Sequence, residues 1–124
     1  MTSERAPKPH TLEENVPATT ILQTIVTQIG EIPESGVVSA VTYTPNADIT
    51  GANSPASRTL SIINKGQDGN GATVIATLAF VSGVNGSDFD ELAFTLSATP
   101  ANLVVTAGDI IALSSAPVGG TGLV

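Results

Sequence analysis

Along residues 58–81, RTLSIINKGQDGNGATVIATLAFV, apolar and small polar positions alternate in two runs separated by a turn. Leu60 and Ile62 alternate with Thr59, Ser61 and Ile63, and Val74, Ala76, Leu78 and Phe80 alternate with Thr73, Ile75, Thr77 and Ala79. A period of two sends successive side chains to opposite faces, so the spacing predicts a strand pair with one face buried. Gly66, Gly69 and Gly71 stand between the runs with Asp68 and Asn70. Such residues accept positive φ at little cost, which predicts a reversal through a loop longer than a two-residue hairpin. The second face of the pair is apolar too, at Ile63, Ile75, Ala79 and Val81. That predicts either a strand covered on both sides or a subunit interface.

The remaining elements follow from the same pattern. Residues 19–29, TTILQTIVTQI, fit a helical stripe or a strand face, and their β-branched content favours strand. A turn at GEIPESG precedes a strand over residues 37–44, VVSAVTYT, which Pro45 ends. Residues 46–57 and 82–90 read as loops, and residues 91–97, ELAFTLS, as a strand with Leu92, Phe94 and Leu96 inward. Residues 102–106 and 109–115 read as a last strand pair around Ala107, Gly108 and Asp109. About seven to eight short strands at this spacing predict an all-β fold, an antiparallel sandwich of jelly-roll type, over residues 19–124. Residues 1–18, with Pro7, Pro9 and Pro17 and no apolar period, predict an extended N-terminal arm outside the core.

Composition changes this picture in one respect. Only 12% of the 124 residues are charged and 3% are aromatic, against 41% hydrophobic, so much of the surface must be Thr, Ser, Asn, Gly or apolar. A surface of that kind favours association with a partner. The net charge of -7 and a pI near 4.2 repel nucleic acid and anionic membrane, so neither is an expected partner. No stretch approaches the ~20 apolar residues of a membrane helix, and the charged, proline-broken N-terminus is unlike a signal peptide, which predicts synthesis in the cytoplasm.

Candidate chemistry is sparse. His10 is the single histidine and lies in the arm, and there is no cysteine, so a nucleophile-base pair would need the arm to fold back. Asp68, Asn70 and their glycines resemble the start of a calcium loop, but the twelfth position, which should be a bidentate Glu, is Ala79. Asp88, Asp90 and Glu91 could hold a hard cation, though such runs are more often solvated loops. No catalytic, metal or cofactor residue is assigned, and the chain is not expected to be an enzyme.

Three phrases together, GEIPESGVVSAVTYTPNADITGA at 30–52, SRTLSIINKGQDGNGATVIATLAFVSGVN at 57–85 and TPANLVVTAGDIIALSS at 99–115, resemble the head-decoration (cement) proteins of tailed bacteriophages. The resemblance implies a compact β domain bound outside an assembled capsid on the virion, a homotrimer clamping adjacent subunits of the major capsid protein. The arm, through Arg5, Lys8, His10, Leu12 and Val16, is then the expected capsid contact. Ile63, Ile75, Val81, Leu123 and Val124 are the expected subunit interface. The alternative is a receptor- or glycan-binding module of a phage fibre, with Phe89, Asp88 and Asp90 as its contacts.

Overall fold

A computed structural model describes residues 11–13, 25–45, 57–80 and 85–118. The chain is all-β, as the sequence predicts. The longest elements are β1 (Ile25–Glu31), β4 (Ser57–Asn64), β5 (Thr73–Phe80) and β9 (Ile110–Val118). With the two-residue β7 (Thr95–Leu96) they form an antiparallel sheet in the order β1-β9-β4-β5-β7. Two small ladders accompany it: β2 (Gly36–Val37) with β8 (Val104–Val105), and β3 (Thr42–Tyr43) with β6 (Leu92–Ala93). One turn of 3₁₀ helix, Pro100–Leu103, leads into β8.

The β4–β5 pair forms as its alternation requires, and β4 is the middle strand of the five. At the end of the connecting loop the Gly71 amide donates to the Lys65 carbonyl at 2.7 Å. A Cβ at Gly71 would stand 2.8 Å from the Asn64 carbonyl oxygen, so only glycine allows this approach. On the inner face Leu60, Ile62, Ala76 and Phe80 cluster with Ile111 and Leu113 of β9, Phe94 between β6 and β7, and Val105 of β8. Leu92, Phe94 and Leu96 turn inward and Ala93 and Thr95 outward, as expected.

Four expectations need correcting. Simple alternation places Ile75 on the outer face, yet it is 1% exposed in the core. Between the Ile62↔Ala76 and Ile63↔Val74 pairs β5 advances two residues while β4 advances one, so Ile75 is the extra residue of a bulge. The bulge turns Ile75 inward and leaves Val74 exposed. Residues 37–44 and 91–97 are each two short strands and not one. The chain leaves β2 through Val38, whose amide bonds the Leu103 carbonyl, and joins β3 beyond Val41, whose carbonyl takes the Phe94 amide. Each stretch is thus shared between two partners. Residues 102–106 and 109–115 meet at a turn closed by the Asp109 amide on the Thr106 carbonyl, with Gly108 at φ +93°, but do not pair. β8 goes to β2, and β9 inserts between β1 and β4. Finally, the arm is not wholly outside the core: Leu12 packs on the core cluster, its Cδ2 lying 3.4 Å from where a Cβ on Gly30 would be.

Candidate functional site

The sheet's outer face is built by residues that alternate with the core positions. One row across it runs Val26, Ser114, Ser61, Thr77 and Thr95, fixed by the pairings of β1 with β9, β9 with β4, β4 with β5 and β5 with β7. The next row holds Gln28, Ala112, Ile63 and Val74, with Ala112 itself buried beneath its neighbours, and the row on the other side Ala116, Thr59 and Ala79. None of these side chains is charged. Charge first appears one row further, where Glu31 pairs with Ile110. Ile63 is half-buried on this outer face, and Val26 and Val74 stand exposed.

A second apolar feature sits on the β2/β8 ladder. Val37 and Val104 are direct cross-strand partners, and both face solvent, at 67% and 56% exposure. Their neighbour Val105 points the other way, into the core. In a two-residue ladder the inward residue fixes the outward one, so burying Val105 holds the valine pair out.

The third feature is a loop tip. Phe89 is 74% exposed and has φ 62°, the one positive φ outside glycine among the described residues. For a bulky side chain that conformation costs about 1–2 kcal/mol. The Phe89 amide donates to the carbonyl of fully buried Pro45 at 2.8 Å, and the Asp90 amide to the Ser87 carbonyl at 3.1 Å. Behind it, a Cβ on buried Gly86 would come within 3.1 Å of Leu92, so the base of the loop is tightly seated. The neighbouring Asp88, Asp90 and Glu91 do not gather into a cation site, and no other metal-holding group of three occurs among the described residues.

Beneath the small ladders lies a groove of about 1030 Å³, walled by Ile29, Val38, Val41, Ile62, Phe94 and Leu113 and entered by Leu12. No family model, curated protein or solved structure matches this chain.

Two buried polar groups were not singled out by the sequence pattern. Arg58 lies on the inner face of β4, where its Nε donates to the Ser115 hydroxyl at 2.7 Å and its Nη2 to the Ser115 carbonyl at 2.9 Å. Burial lowers its pKa from the ordinary arginine value. The parity of Arg58 with Leu60 and Ile62 was the available signal. Asp109 closes the turn before β9 by accepting from the Thr106 amide at 2.8 Å and the Asn64 side-chain amide at 2.9 Å. Those donors, the Thr106 amide first, hold its carboxyl below the usual aspartate range. Asn64 in turn accepts from the Gly66 amide, tying the β4–β5 loop to the same turn.

Of the expected arm contacts, Leu12 alone is described, and it faces its own domain; Arg5, Lys8, His10 and Val16 lie outside the described residues. So do Val81, Leu123 and Val124 of the expected subunit interface, whereas Ile75 is withdrawn into the core. Among the described residues no helix is long and apolar enough to cross a membrane.

Proposed function

We propose that this chain is a structural virion protein that binds the outside of a tailed-phage capsid and stabilises it by bridging major capsid subunits. The observation that supports this is the Val37–Val104 pair, held out by a ladder whose other face is core. Covering a valine fully stabilises a complex by about 1.5–3 kcal/mol before association entropy is counted. A modest gain per copy suffices when many copies act on one shell. The resemblance of residues 30–52, 57–85 and 99–115 to decoration proteins supports reading the shell as that of a phage head.

Co-sedimentation with undecorated heads tests the proposal. The full chain should pellet with heads, and Val37→Lys combined with Val104→Glu, an opposite-charge cross-strand pair, should weaken binding at least tenfold without lowering the melting temperature. Removing residues 1–10, which spares Leu12, should weaken binding too if the arm is a strap. A full-length chain that stays in the supernatant sinks the proposal. Unchanged binding by the valine variant removes the valine contact, and unchanged binding by the shortened chain removes the strap.

The exposure of Phe89 favours a second reading, a receptor- or glycan-binding module of a phage fibre. The substitution Phe89→Asn separates the two. Asparagine tolerates the left-handed region, so the variant should gain up to about 1 kcal/mol of stability in denaturant melts. Under the first reading it still binds heads; under the second it loses glycan binding. A lower melting temperature would mean that the phenyl ring is covered and the loop unstrained.

A further inference from the structure

We propose that the outer face of the five-stranded sheet docks against the same face of a second copy of this chain, as a twofold pair and not the homotrimer that the resemblance implies. Solvated faces of antiparallel sheets carry polar side chains, and charged ones guard them against unwanted association. Here three successive rows, crossing all five strands at their widest, carry only hydroxyl, amide and aliphatic side chains. Two chains of formal charge -7 repel one another at a distance, and a contact that also buried carboxylates would leave them uncompensated. This face allows the copies to meet with no charge buried.

Self-association also fits the pattern better than a different partner does. The face offers no charge for a basic or acidic surface to complement. What it offers is an uncharged array, Val26 at one edge, Ser61 and Thr77 at the centre, Ile63 and Val74 along one side. A twofold axis sets such an array against itself, with the two sheets about 10 Å apart and their strands near -30°. The rows hold five, four and three residues, and at about 4.8 Å between strands and about 6.6 Å between rows these positions cover roughly 380 Å². Two such faces bury roughly 760 Å², below the ~1,000 Å² of a stable specific interface and in the range of weak, transient contacts. The pair is therefore weak in dilute solution and strengthens where copies are concentrated, whichever surface they stand on.

Sedimentation equilibrium of the full chain, from about 1 µM to about 1 mM, reads this directly. The mass should climb with concentration from 12.4 kDa toward twice that value. Thr77→Lys, at the centre of the face, and Val26→Lys, at its exposed edge, should each weaken association at least tenfold while circular dichroism and melting temperature stay as in the parent. If Thr77→Lys fails to fold, Val26→Lys carries the test. A parent chain that stays monomeric throughout, a trimer in place of a dimer, or folded lysine variants that associate as the parent does would each overturn the proposal. Because no capsid is present, these outcomes are separate from the success or failure of head binding.

Discussion

Ile75→Ala is expected to destabilise the protein by about 3 kcal/mol, while Val74→Ala beside it changes stability by less than about 0.5 kcal/mol. Ile75 is sealed in the core, where truncation leaves a cavity among Ile62, Ala76 and Phe94 that the sheet cannot close. Val74 is 40% exposed on the outer face, and losing its two methyl groups removes little buried surface. Uninterrupted alternation along β5 would reverse the order, since it puts Val74 in the core and Ile75 outside. Chemical denaturation of the two variants, compared at constant m-value, decides between them. A larger loss for Val74→Ala would eliminate the bulge.

Asp109→Ala is the second large effect, expected at roughly 3 kcal/mol and a fall in melting temperature on the order of 10 °C. The carboxylate holds the Thr106 amide and the Asn64 side chain together, and its removal leaves donors in a partly buried site unsatisfied. Because the folded pKa is depressed, the carboxylate contributes stability that is fully present above the unfolded aspartate value of about 3.9. That contribution is lost as pH falls through the lower folded value. The gap between parent and Asp109→Asn should therefore be constant near neutrality and narrow progressively below about pH 4. A gap that stays the same down to pH 2.5 would show that the ionised form is not what the turn needs.

The β4–β5 pair was legible because its alternation is local and its loop is punctuated by glycine. Leu60, Ile62, Ala76 and Phe80 went to the core as their parity required. The bulge at Ile75 was not legible, since one inserted residue reverses parity with no compositional mark. Residues 37–44 and 91–97 have the pattern of single strands, and the inward set Leu92, Phe94 and Leu96 was read correctly. Their division between partners depends on which strands lie opposite, information held elsewhere in the chain. The same cause separates β8 from β9 despite a tight turn at Gly108. For the candidate surfaces, Ile63 was found by its parity. Arg58 was passed over because a charged residue at the start of an apolar run reads as its solvent end, although its position two before Leu60 already placed it inside. The Val37–Val104 pair could not be foreseen, because its exposure follows from a pairing between residues far apart in sequence.

The place of β9 governs how the molecule comes together. It fills the gap between β1 and β4, with Ser115 opposite both Ile25 and Leu60. Until that strand has left the ribosome, the hairpin before it stands with one margin of bare amides and carbonyls, and β1 has no neighbour to join. Assembly must therefore run as a late insertion in which a single arriving segment locks both halves together. Such long-range closure is slow compared with hairpin formation, and it leaves the unfinished chain open to cross-pairing with other nascent copies.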